Sequence, residues 1–136
     1  MSPAKTLAAL EAGTLDAARF THRDHVLTAW EVLRQDEFFA AAHRYASAIR
    51  RLAVSAGVPG KFSATVTFAF LSLIAERMAT SPDSAKEFLA DNPDLLWPDV
   101  LTQLYSAERL ETDLGRRVAL LPDRASTGTA PAAHSS

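Results

Sequence analysis

The stretch 64–79 is apolar almost all the way round, interrupted only by Thr65, Thr67, Ser72, Glu76 and Arg77. Its length and spacing are those of a helix, and a helix without a broad polar face has to be surrounded. The other elements must therefore be partners that pack around it. The rest of the chain repeats its apolar residues with a helical period, and no stretch alternates as a strand would. These features predict an all-α fold, a single bundle of about five to seven helices.

Caps and breakers divide the chain. Ser2 caps a first helix with Pro3 at its first position, ending at Gly13. A turn-like stretch follows to Phe20. Thr21 and Asp24 form a capping-box start for a helix from His22 to about Arg34. Asp36 is the expected cap of a third helix, running to about Ala53 and stopped by Gly57, Pro59 and Gly60. The fourth is the apolar helix, expected at the buried centre. Ser81-Pro82 is read as the start of a fifth helix ended by Asn92-Pro93. Trp97-Pro98 starts another to about Tyr105, and Ser106 caps a last one through Val118. Residues 1–123 are read as the helical domain. Residues 124–136 hold Ala, Ser, Thr, Gly and Pro with no apolar periodicity, and are read as a disordered tail.

Composition narrows the function classes. The 136 residues suit one domain, and a 48% apolar content supplies one core. A net charge of -2, with no basic run beyond Arg50-Arg51 or Arg116-Arg117, gives no electrostatic basis for nucleic-acid binding. With no cysteine there is no disulfide, thiolate metal site or Cys nucleophile. No segment is apolar for long enough to span a bilayer, and the N-terminus lacks the charged-then-apolar pattern of a signal peptide. A cytoplasmic protein is expected, and the Ala, Arg and Leu bias points to a GC-rich bacterial genome.

The chemistry-bearing residues begin with His22 and His25, three apart in the second helix. At about 100° per residue His22 shares an arc with Val26, Ala29, Trp30 and Leu33, and His25 lies at its edge. Arg23, Asp24, Glu31, Arg34 and Gln35 occupy the other side. A neutral imidazole facing inward can ligate a metal, accept a proton or bond a ligand. It can equally be a core histidine satisfied by a carbonyl, and the residues leave both readings open. His43, flanking the apolar positions Phe39, Ala46 and Ile49, reads as a surface residue; His134 lies in the tail.

On the fourth helix Thr65, Ala69, Ser72 and Glu76 fall on one narrow line. Such a stripe either faces water or lines a pocket. If it faces inward, Glu76 is an acid or base, and Thr65 and Ser72 are ligand donors. Lys61, just before this helix, is either a surface residue or an anion holder; the glycine spacing is wrong for a phosphate loop.

Several segments resemble a widespread bacterial all-helical family. They are Phe20-x-His22-x-x-His25-Val26-x-x-Ala29-Trp30, Gly60-Lys61-Phe62-x-x-Thr65-Val66-Thr67, Glu76-Arg77-Met78, Phe88, Asn92-Pro93-Asp94-Leu95-Leu96 and Leu120-Leu121-Pro122-Asp123. The resemblance covers about residues 15–123 in the same order. It implies a common helical fold and supplies no activity. It also implies a departure. Typical members carry His-Glu where this chain has Ser63-Ala64, and would thereby assemble three imidazoles and a carboxylate. Here His22 and His25 stand without the other two.

The resulting expectation is a small metal-independent enzyme of bacterial, specialised metabolism, with a pocket where the second helix meets the start of the fourth. His22, His25 and Glu76 would be catalytic. Trp30, Lys61, Ser63, Thr65 and Ser72 would bind a small-molecule ligand, with no cofactor. The reaction would need only proton transfer, as in cyclisation, condensation or isomerisation. Two alternatives stand beside it: a metal-binding protein using His22 and His25, and a non-catalytic module for a small molecule or protein. Phe38-Phe39, Trp97 and Tyr105 are candidates for either a homodimer face or the core.

Overall fold

The computed structural model describes residues 2–81 and 83–124. The proposed tail from 125 onward, with His134, and Pro82 of the expected fifth-helix start lie outside the described residues. Among the described residues seven α-helices follow in order: α1 Pro3–Ala12, α2 His22–Gln35, α3 Phe38–Ser55, α4 Ala64–Met78, α5 Ala85–Asp91, α6 Ala107–Leu110 and α7 Asp113–Arg117. Short 3-10 turns occupy Ala17–Arg19, Pro59–Lys61, Pro93–Leu96 and Val100–Gln103. Among the described residues there is no strand, and no helix is long and apolar enough to cross a membrane.

Local chemistry explains most of the boundaries. Ser2 Oγ accepts from the Lys5 amide, and Gly13 ends α1 at φ 74°, the left-handed conformation glycine adopts without a Cβ penalty. The capping box of α2 is complete. Thr21 Oγ1 accepts from Asp24 N at 3.2 Å, and Asp24 Oδ2 accepts from Thr21 N at 3.0 Å.

Four elements differ from expectation. Glu37, not Asp36, caps α3, taking the Phe39 and Ala40 amides on its two carboxylate oxygens. Asp36 instead ends α2 and pairs with Arg44 at 3.0 Å. Ser84 rather than Ser81 caps α5. The expected helix from Trp97 is reduced to the 3-10 turn Val100–Gln103, and the expected helix from Ser106 is broken because Thr112 starts a second cap on Gly115 N.

The centre of the bundle is α2, not α4. Val26, Thr28, Ala29, Trp30, Glu31 and Val32 are all buried, and α2 packs on α1, α3, α4, α5 and the turn Pro93–Leu96. On α4, by contrast, Phe68 is 39% exposed and Glu76 faces outward. Burial of α2 reaches two polar positions. Thr28 Oγ1 satisfies itself on Asp24 O at 2.7 Å. Glu31, expected on the solvent side, holds Arg34 Nη2 at 2.8 Å and Gln35 Nε2 at 2.7 Å, so its carboxylate enters the interior with partners.

Arg44 fastens the first three helices, reaching both Glu11 carboxylate oxygens, Gln35 Oε1 and Asp36 Oδ2. A second small core joins Ala69, Val100, Leu101 and Tyr105 under the C-terminal segments. Tyr105 belongs to that core, whereas Phe39 and Trp97 are 73% and 51% exposed. The fold remains tied at Arg124, whose amide donates to Leu104 O at 3.1 Å and whose Nη1 donates to Thr102 O at 2.6 Å.

Candidate functional site

The first turns of α2 and α4 and the middle of α3 enclose a cavity of about 240 Å³. From α2 come His22, His25 and Ala29; from α3, Tyr45 and Ile49. Lys61, Phe62, Ser63, Val66, Thr67 and Phe70 complete the lining. It is an apolar pocket with few convergent polar groups, the usual make-up of a small-molecule site.

Each histidine is held by one nitrogen. His22 Nε2 lies 2.9 Å from Leu95 O. A carbonyl only accepts, so Nε2 carries the proton and Nδ1 of the neutral ring is bare. Phe70 meets the ring edge-on at 5.2 Å between centroids.

The Tyr45 hydroxyl donates to His25 O at 3.1 Å, and its oxygen lies 3.2 Å from His25 Nδ1. The hydroxyl has one proton, and the carbonyl can take only that one. Both bonds therefore coexist only when His25 Nδ1 carries hydrogen and Nε2 is bare. Burial raises the Tyr45 hydroxyl above its ordinary range, so it stays a neutral donor. The two rings thus hold opposite tautomers, 6.4 Å apart between centroids. Among the described residues neither bare nitrogen is a buried atom left without a partner.

Burial, helped by the neighbouring His22 ring and opposed by Asp24, pushes His25 down to about 4. His25 is therefore neutral at physiological pH.

The turn that carries this carbonyl is anchored through its side chains. Arg77 Nη1 and Nη2 grip Asp94 at 2.9 and 2.8 Å, and Nη1 also donates to Asn92 Oδ1 at 3.0 Å. Asp94 is kept below its ordinary carboxylate range by that guanidinium. The turn Pro93–Leu96 is thereby fixed with Leu95 O facing His22.

Of the eight expected site residues, the fold brings together His22, His25, Lys61 and Ser63. Ser63 also caps α4, accepting from Val66 N at 3.2 Å and donating to Gly115 O at 3.3 Å. Four others stand elsewhere. Glu76 is on the surface, at the far end of α4 from the cavity. Ser72 is half-buried and outside the lining. Trp30 is 5% exposed in the main core, with the Arg34 guanidinium 5.6 Å from its ring centroid. Thr65 donates to Val118 O at 2.7 Å and accepts from Leu120 N at 3.0 Å, so it is committed to the C-terminal segment. The stripe of α4 neither faces water throughout nor lines the pocket, because the C-terminal turns cover its first half.

Tyr45, Ile49, Thr67 and Phe70 are lining residues that sequence reasoning missed. Tyr45 sits on the Ala41–Tyr45–Ala48 arc of α3, a periodic signal legible beforehand; its pairing with His25 was not. Conversely Phe39, expected on the apolar face of α3, points out.

The donor set does not suit a resident metal ion. The lining offers two imidazoles and no carboxylate, and among the described residues no group of three or more His, Asp or Glu is gathered to hold an ion. No family model, curated protein or solved structure matches this chain.

Proposed function

We propose that this chain is a small metal-independent enzyme that moves protons on a small molecule bound between α2, α3 and the start of α4. One observation carries the reading: two imidazoles line a single cavity in opposite tautomers, each with a free nitrogen. In this scheme His22 is the base. A substrate proton passes to Nδ1, and the Nε2–H bond to Leu95 O strengthens as the ring gains charge. His25 stays neutral and uses Nε2 to accept a hydrogen bond from the substrate, fixing its orientation. His22 then returns the proton to a different substrate atom, so nothing is gained or lost overall. Isomerisation fits this directly; in an additive cyclisation or condensation the carbanion or alkoxide adds to a carbonyl carbon, the C=O π bond breaks toward oxygen, and that oxygen takes the proton back from His22. The setting proposed is the bacterial cytoplasm, on composition and the lack of cysteine.

The test is deuterium exchange. Carbonyl and carboxylic metabolites with acidic C–H bonds are incubated with the protein in D2O and followed by mass spectrometry. The wild type should wash deuterium into at least one compound without added metal. His22→Gln should slow this by about 10²–10⁴-fold, the usual share of one acid–base group. Exchange that needs an added divalent ion, or that survives His22→Gln, overturns the reading. A second reading is favoured by the low pKa of His25: a non-catalytic module using His25 only as a permanent acceptor. Ligand binding without exchange of any compound would select it.

A further inference from the structure

A second hollow of about 560 Å³ adjoins the first. The two share His25, Ile49, Lys61 and Phe62. The outer hollow is otherwise apolar, walled by Phe20, Leu52, Val58 and several alanines. Neither lining contains Asp or Glu. Asp24, next to His25 in sequence, is engaged with the Thr21 amide.

Two cations near the junction have no ion-pair partner among the described residues. Lys61 is exposed and makes no ion pair among the described residues. The Arg50 guanidinium lies 4.7 Å from the Phe62 ring centroid and likewise has no carboxylate partner among them. Phe62, 9% exposed, therefore stands between two apolar hollows with cations on its flank. Unpaired cations beside apolar walls suit an anion attached to an apolar body.

We infer that the two hollows form one binding site for an amphipathic organic anion, its charge held by Lys61 and its apolar body divided from the histidine end by Phe62. This names the substrate class for the proton-transfer reading. It rests on that reading only in assigning the inner end as the reacting one. Phe62 then limits the length of the apolar body, because its ring lines both hollows.

Titration calorimetry with octanoate, octyl phosphate, octanol and octylamine tests the inference. One or both anions should bind, and octylamine should not. Lys61→Gln should weaken the anions about tenfold, as for loss of one charge-assisted hydrogen bond, and leave octanol unaffected. The relative affinity of the two anions reports which head group the site takes. Phe62→Ala should shift the preferred chain from octanoate toward dodecanoate. Equal binding of octanol and the anions, binding of octylamine, unchanged anion affinity in folded Lys61→Gln, or an unshifted chain preference in folded Phe62→Ala would each overturn it. Failure of the two readings is separable. Anion binding without deuterium exchange leaves this inference standing and removes the acid–base function. Exchange on a compound that binds without regard to Lys61 does the reverse.

Discussion

His22 and Leu95 stand 73 residues apart in the chain, yet His22 Nε2 and the Leu95 carbonyl oxygen are 2.9 Å apart. That contact sets which nitrogen of His22 is free. It depends on Arg77, which holds Asp94 one residue before Leu95 with two parallel hydrogen bonds.

Replacing Arg77 with Lys should therefore act at a distance. An ammonium cannot reproduce the planar fork, so the change is not conservative. Stability should fall by about 1–3 kcal/mol, the cost of losing hydrogen bonds to a charged group. Ring ¹⁵N shifts of His22 should move from a single tautomer to a mixture. A His22 that keeps its Nε2–H signature would mean the turn holds its own shape.

His25 should give the protein an acid-sensitive stability. Its folded pKa of about 4 lies below its ordinary 6.5. The unfolded chain therefore binds a proton that the folded one refuses as pH falls between those values. The stabilisation is complete above 6.5 and is lost progressively down to about 4. Its size is on the order of 3 kcal/mol. Glu11 and Asp94 are also depressed, but from 4.5 and 3.8, so they act at the acid end of that window and below it. Denaturation midpoints from pH 7 to 4.5 should slope in the wild type and flatten in His25→Gln. Equal slopes in both would remove His25 as the cause.

Thr65→Val keeps the shape of the side chain and removes both of its bonds. Val118 O and Leu120 N lose their partner. The expected cost is about 1–3 kcal/mol. Amide exchange at Leu120 should quicken well beyond that of α2 amides, because the segment after α7 is released from α4. Uniform quickening would instead mean that the segment opens only with the whole fold.

Trp30→Ala should cost about 3–5 kcal/mol, as for a large aromatic removed from a core. With Trp97 changed to Phe, the remaining emission should be blue-shifted, since Trp30 is 5% exposed. Solvent-like emission from that folded variant would contradict the packing of α2.

The residues themselves determined the helical class, the capping box at Thr21, the ends at Gly13 and Gly57, and the inward side of His22. These follow from local rules, because a cap or a periodic face involves residues within one or two turns of each other. Tertiary structure alone decided which helix is central, what covers the stripe of α4 and which partners the histidines find. Glu76 shares a line with Thr65, but a helix of 15 residues carries one end under the C-terminal turns and leaves the other in water. Glu31 reads as a surface residue until the neighbours of α2 enclose it. The bond from His22 to Leu95 and the bond from His25 to Tyr45 join separate elements, and nothing in either local sequence encodes its partner. A tautomer is set by the group opposite each nitrogen, and only the packed chain supplies that group.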